Sequence, residues 1–313
     1  MLCVPIIIGQ ALTYNEYYNS SGGVLEKYHS LSKTGTDKIA VINVKGIIMD
    51  GEGYVGHQIK LAQADENVKA IVVRVDSPGG TVTGSDYILH HLNKLREEKE
   101  IPIVVSMGSM AASGGYYVAM AVGDEKDTIF AEPTTTTGSI GVIIPHYDIS
   151  GLMEKYNITD DSIMSHPRKQ MLSMTRAMPA EHRDILQNYV NEAFGRFKDI
   201  VKEGRPAFKA DPAKLDILAT GEIFTANQAL KSGLVDKIGF LDEAIERAAE
   251  LASLDVEKVR VVTYEQPASL FSLASMAQQK PGVSLETVLE MTAPRAYYLS
   301  SYVPPVIKNI RLD

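Results

Sequence analysis

The sequence predicts an α/β protein, with a mostly parallel β-sheet and helices packed against it. Three observations carry that expectation. The runs Ile39-Ala40-Val41-Ile42-Asn43-Val44, Ala70-Ile71-Val72-Val73-Arg74-Val75 and Ile101-Pro102-Ile103-Val104-Val105-Ser106 have the length and β-branched character of buried strands. Segments with helical spacing of apolar residues separate them. Glycine-rich turns follow the second and third runs, at the strand ends where open α/β sheets place their ligands.

Residues 1–37 are mixed in character and break at Asn19-Ser20-Ser21-Gly22-Gly23, so they are expected to form an N-terminal extension. The first strand leads through Gly46 to a polar turn near Asp50-Gly51-Glu52-Gly53, and a helix is expected over 57–66. The second strand runs into Asp76-Ser77-Pro78-Gly79-Gly80. A helix over 84–97 follows, with Ile88, Leu89, Leu92 and Leu95 on one face. Pro102 stands near the start of the third strand, where it is tolerated. Another helix begins near Ser113, and two short strand-like runs lie within 127–144.

After Pro179 a long helix is expected, with a proline in its first turn and Glu181 close behind. Ile185, Leu186, Tyr189, Val190, Ala193, Phe194 and Phe197 keep helical spacing along it. A short helix after Thr225 and another over 241–251 complete a main domain over 38–264. Beyond it the composition shifts to Gln, Ser, Ala and Met, with Pro267, Pro281, Pro294, Pro304 and Pro305. Residues 265–313 read as a C-terminal appendage. Leu285, Val288 and Leu289 suggest one amphipathic helix in it, packed on its own core or docked on a neighbouring subunit or a membrane surface.

With 313 residues, 45% apolar and 22% charged, the chain can bury a substantial core. A net charge of −8 leaves no basic excess to neutralise phosphates, so nucleic acid is not an expected partner. The single cysteine, Cys3, excludes an intramolecular disulfide and a multi-cysteine metal site. The opening Met1-Leu2-Cys3-Val4-Pro5-Ile6-Ile7-Ile8 falls far short of the ~20 apolar residues a membrane span needs. It also lacks the basic start of a secretory signal, so no anchor is read at this end.

The segment Gly108-Ser109-Met110-Ala111-Ala112-Ser113-Gly114-Gly115-Tyr116-Tyr117 follows a strand and opens a helix. Free amides at a helix start can hold a developing oxyanion, and glycine lets backbone and substrate approach closely. Small residues there serve tight packing equally well. The turn ending in Gly79-Gly80 could supply a second donor, or be an ordinary turn. A serine nucleophile needs a base. Among the seven histidines, His146, near Asp148, is the best candidate for a Ser-His-Asp arrangement. A lysine could serve if desolvation or a neighbouring cation removes its proton near neutral pH. Lys169 has apolar neighbours Met171, Leu172 and Met174 and the cation Arg168 beside it, although an isolated lysine is more often a solvated surface group.

Taken in order, these motifs resemble the signal peptide peptidase A family of bacterial serine peptidases, in the Clp protease/crotonase superfamily. The resemblance runs from about residue 38 to 250. It rests on Asp76-Ser77-Pro78-Gly79-Gly80, Met110-Ala111-Ala112-Ser113-Gly114-Gly115-Tyr116-Tyr117, Thr137-Gly138-Ser139-Ile140-Gly141-Val142 and Gly233-Leu234-Val235-Asp236-Lys237-Ile238-Gly239. It implies a Clp protease/crotonase-like fold, Ser113 as nucleophile and Lys169 as base, with Lys155 less well placed. His166-Pro167-Arg168 before Lys169 departs from the family's small-residue pattern. It further implies an oxyanion hole from the amides of Gly80 and Gly114, and Ser139 as the residue that positions the lysine. No metal or cofactor is implied.

The implied substrates are apolar peptides such as cleaved signal peptides. With one set of motifs the chain looks like a half-length member, for which a homo-oligomeric ring with sites shared between subunits is implied. Membrane association in the bacterial cell envelope is implied as well, although no anchor is read in this chain. Alternative readings on the same fold are a Clp-like or capsid-processing peptidase and a crotonase-like acyl-CoA enzyme.

Overall fold

The structure, a computed structural model, describes residues 23–266 and 297–299. The expected amphipathic helix through Leu285, Val288 and Leu289 lies outside the described residues.

The centre is a nine-stranded sheet in which β2 (Lys38–Lys45), β3 (Val68–Ser77) and β5 (Ile103–Ala112) run parallel side by side. Beyond β5 the parallel order continues with β6 (Ile129–Ala131) and β9 (Lys237–Ile238). On the other side β10 (Arg260–Glu265) pairs parallel with β2. β1 (Leu25–Leu31) closes that edge, antiparallel to β10. The chain just before residue 38 thus contributes a strand to the sheet, and residues 260–265 fill the place between β1 and β2.

Both faces of the central strands are apolar because both are covered. On one face Ile39, Val41, Ala70, Val72 and Val104 pack under the helix α9 (Leu241–Leu251). That helix buries Ala244, Ile245, Ala248 and Ala249, and its alanines let it lie close to the strands. On the other face Ala40, Ile42, Ile71, Val73 and Val105 meet α1 (Tyr54–Ala64), α2 (Val82–Lys99) and α3 (Gly114–Ala119). The helix α2 starts where the Thr81 hydroxyl accepts from the Gly84 amide at 3.0 Å. It buries Ile88, Leu89, Leu92 and Leu95, the face its spacing predicts. The α/β expectation, with a mostly parallel sheet and packed helices, is met.

β5 is longer than its apolar run. The residues from Gly108 to Ala112, expected to follow the strand and lead into a helix, instead continue it along a second short partner, β7 (Thr136–Gly138). Against β3 the register jumps from Val75↔Met107 to Ser77↔Ala111, so β5 bulges over 108–110. Asp76 fills the gap, accepting from the Ser109 hydroxyl at 2.5 Å and the Met110 amide at 3.1 Å. The bulge re-aims the strand so that Ser113 emerges at the sheet's C-terminal edge.

Between β7 and β8 (Ile223–Thr225), which pairs with it, the chain makes a long excursion. No residue from 141 to 181 is buried. This arm carries the short helix α4 (Ser150–Lys155) and a 3-10 turn, Pro167–Gln170. It is tied internally. The Ile149 amide donates to the Met174 carbonyl at 2.8 Å, and a His146 ring nitrogen meets the Ser173 carbonyl at 3.1 Å. Asp160 joins the two limbs by accepting from the Ser162 amide and the Ser162 and Thr175 hydroxyls and pairing with Arg176 at 3.4 Å. The Ser162 and Thr175 hydrogen bonds hold its carboxyl down at about 2. A carboxylate depressed in this way contributes above the ordinary carboxylate range and is lost only as pH falls through about 2, so the tie holds at all working pH values.

The arm ends in α5 (Ala180–Gly204), whose second half buries Phe197, Ile200 and Val201 in the core. Its first half buries only His182 and leaves Tyr189 exposed. Three short helices, α6 (Pro206–Ala210), α7 (Pro212–Leu218) and α8 (Ala226–Ser232), complete the helical layer.

Candidate active site

Ser113 sits on the turn from β5 into α3, at φ 54° and ψ −114°. A non-glycine residue in such a region stores roughly 1–3 kcal/mol of backbone strain and persists only when its surroundings enforce it. The enforcement is visible. The Ser113 amide donates to the Gly138 carbonyl at 2.8 Å, and its carbonyl accepts from Tyr117 at 2.9 Å. All six residues of α3 are buried. Ser113 itself is 1% exposed, and its hydroxyl has no hydrogen-bond partner among the described residues. Such an orphan oxygen is costly and calls for a functional explanation.

Alongside it runs β4 (Gly79–Thr81). The chain at Ile48 clamps this strand, with the Ile48 amide donating to the Gly79 carbonyl at 2.9 Å and the Thr81 amide to the Ile48 carbonyl at 2.7 Å. The Thr81 hydroxyl adds a bond to the Met49 carbonyl at 2.9 Å. Because alternate amides of a strand face opposite sides, the Gly80 N–H then points away from Ile48. Gly114 lies close by: a Cβ built on it would lie 3.1 Å from the Gly80 nitrogen and collide with the Ser85 hydroxyl. The backbones of the two glycines thus approach each other beside the serine, with no room for a side chain between them.

A Cβ on Gly80 would fall on the Ile48 carbonyl oxygen, far inside van der Waals contact. Gly80→Ala must therefore displace β4. If the Gly80 amide holds the oxyanion, kcat should fall by about 10²–10³-fold, the cost of one such donor, together with a lower Tm. Steady-state kinetics and thermal unfolding check both, and full retention of kcat would remove Gly80 from the oxyanion hole.

The remaining sequence candidates fall into two groups. Ser139 is 6% exposed and directly follows Gly138, which is paired with Ala112 across β7 and β5 and accepts from Ser113. Ser113, Gly80, Gly114 and Ser139 thus share one neighbourhood. Lys169 does not join them within the chain. It is exposed on the 3-10 turn of the arm, and the buried Ser113 hydroxyl receives no bond from it. Arg168, the cation expected to act on Lys169, is paired with Glu181. Lys155 lies at the end of α4, 5.9 Å over the Tyr156 ring. His146 is committed to the Ser173 carbonyl, and Asp148 accepts from the Ser150 amide at 2.9 Å, so no Ser-His-Asp chain forms here. Among the described residues no group of three or more His, Cys, Asp or Glu could hold a metal.

Sequence reading missed two contributors. One is the strand clamp at Ile48, which in the sequence is only the approach to a polar turn. The other is Tyr298, whose strand β11 (Tyr297–Leu299) pairs antiparallel with β4. Its ring stacks on Tyr117 at 5.0 Å and tilts against Phe197 at 4.6 Å. No periodic signal in the proline-broken C-terminal stretch marks it.

A buried serine on a strained strand-to-helix turn of a parallel sheet, with two glycine backbones close beside it, suits a serine hydrolase working by acyl transfer. Residues 95–255 match the peptidase family S49. The chain is 39% identical over 239 residues to the candidate protease slr0021 of Synechocystis sp., covering 76% of this chain and 83% of that one. It is 39% identical to protease 4 of Salmonella typhi over 69% of this chain and 35% of that one. It is 37% identical to the candidate signal peptide peptidase SppA of Enterococcus faecium over 67% of this chain and 62% of that one. The chain belongs to peptidase family S49, a family of serine peptidases, as its resemblance to signal peptide peptidase A implied. It spans about a third of the Salmonella relative's length and under two thirds of the Enterococcus one's.

Proposed function

We propose that this peptidase cuts apolar peptides, cleaved signal peptides among them, through an acyl-enzyme on Ser113, and that the base, Lys169, is delivered by a second copy of the chain. The observation that carries the reading is the sealed Ser113 hydroxyl, without a partner among the described residues, beside the Gly80 and Gly114 backbones. The name of the Enterococcus relative supports the substrate class. Neutral Lys169 removes the Ser113 proton, the oxygen attacks the peptide carbonyl, and the two amides hold the oxyanion. The leaving amine takes a proton and water then hydrolyses the ester, with Ser139 placed to orient the lysine. The peptidase domain is taken as residues 38–264.

The second copy is supported by the arm. It holds Lys169 out on a segment that buries nothing, and Ile143, Tyr147, Leu152, Tyr156, Ile158 and Ile163 stand exposed along it. Large apolar groups in that number on one excursion mark a surface for association. A closed ring, in which every arm reaches the next subunit's serine, satisfies all copies alike. No helix among the described residues is long and apolar enough to cross a membrane. The cell-envelope setting rests on the family resemblance.

Mixing two inactive proteins tests the shared site. With subunit exchange, Ser113→Ala and Lys169→Ala chains together should recover about a quarter of wild-type peptide hydrolysis, since half the serines and half the lysines remain and pair at random. No recovery after demonstrated exchange would place both residues of each site on one chain.

A further inference from the structure

Ser113 and β4 belong to different parts of the chain, and one residue is bonded to the supports of both. Against β3 the ladder of β5 breaks after Val75↔Met107 and resumes only at Ser77↔Ala111, just before Ser113. In the gap the backbone of β5 must find partners elsewhere. The Thr135 hydroxyl donates to the Gly108 carbonyl at 2.6 Å. A single carboxylate oxygen of Asp76 accepts from both the Ser109 hydroxyl and the Met110 amide, at 2.5 and 3.1 Å. Gly108 leaves room for that carboxylate, since a Cβ there would lie 3.2 Å from the Asp76 Cβ and Cγ.

The main chain of Asp76 reaches the other wall of the site. Its carbonyl accepts from the Gly46 amide at 3.0 Å. The Gly46 carbonyl accepts from the buried Ser77 hydroxyl at 2.6 Å, and that hydroxyl oxygen accepts from the Gly79 amide at 3.1 Å. Gly79 opens β4, and Gly46 leads into the clamp at Ile48. Asp76 is thus tied by its side chain to the strand that ends in Ser113, and by its carbonyl to the segment that fixes β4.

We propose that Asp76 is a positioning residue for catalysis, whose carboxylate oxygen sets the bulge at 108–110 and with it the placement of Ser113 against β4. The proposal rests on the peptidase reading above. Asp76 acts through the strand and takes no part in proton transfer. Misplacing a reacting group by about 1 Å can cost about 10²-fold in rate. Such a shift impairs attack on the bound peptide rather than its binding, so it falls on kcat and spares KM.

Three substitutions separate the position of the oxygen from its charge. Asp76→Ala removes the acceptor. Asp76→Asn keeps an oxygen in the same place without the charge, and Asp76→Glu keeps the charge but carries it one methylene further. Steady-state hydrolysis of a quenched apolar peptide is compared with wild type and Ser113→Ala, with the folded fraction taken from thermal melts. Asp76→Ala and Asp76→Glu should lose about 10²-fold in kcat with KM within about threefold, while Asp76→Asn stays within about fivefold of wild type. Should the alanine chain fail to fold, the asparagine and glutamate variants carry the comparison. If Asp76→Ala or Asp76→Glu keeps the wild-type kcat, or Asp76→Asn falls as far as they do, the inference is overturned and the peptidase reading stands. A wild type as inert as Ser113→Ala would end the peptidase reading itself.

Discussion

Replacing Ser113 with alanine is expected to cut peptide hydrolysis by about 10⁴-fold or more, since removing a nucleophile leaves only binding and the oxyanion donors. The same change should leave the fold unharmed. The Ser113 hydroxyl is buried and makes no hydrogen bond among the described residues, so its loss breaks no bond and removes a desolvation cost of about 1–3 kcal/mol. The positive φ burdens serine and alanine alike. Tm should therefore hold or rise while kcat collapses, a combination that a merely structural serine would not give. Kinetics and a thermal melt on the same sample decide it. Activity surviving in Ser113→Ala would end the acyl-enzyme mechanism for this residue.

Lys169→Ala should lower kcat by about 10²–10⁴-fold, the usual contribution of a positioned base. Its side chain is exposed and engages in no salt bridge or hydrogen bond among the described residues, so stability should change by less than about 0.5 kcal/mol. His146→Ala and Lys155→Ala serve as controls that keep activity. Full activity in Lys169→Ala would make His146 the candidate base.

How much of this was legible beforehand depended on locality. The strands at 39–44 and 70–75 and the helix at 84–97 announce themselves through local runs of Val, Ile and Leu, and each stands close to its expected place. The turn carrying Ser113 was legible for the same reason, as small residues between an apolar strand and a helix. What escaped depends on contacts between distant residues. Nothing near Leu25 says that it will pair with Glu265, and nothing near Tyr298 says that it will lie against Gly80. The bulge at 108–110 was hidden because its cause, the Asp76 carboxylate, sits on another strand. Arg168 misled by proximity: it neighbours Lys169 in sequence but spends its charge on Glu181.

The arm from 141 to 181 has a kinetic consequence. If catalysis needs a residue carried on a surface that only another copy can cover, then turnover is not a property of one molecule. The rate should scale more steeply than linearly with protein at high dilution, where assembly is incomplete, and become linear once rings are saturated. A chain newly released from the ribosome would then be inert toward its neighbours, and proteolysis would switch on only where enough copies accumulate. Local abundance, set by synthesis and confinement, would govern the onset of cutting without any inhibitor or prosegment acting in trans.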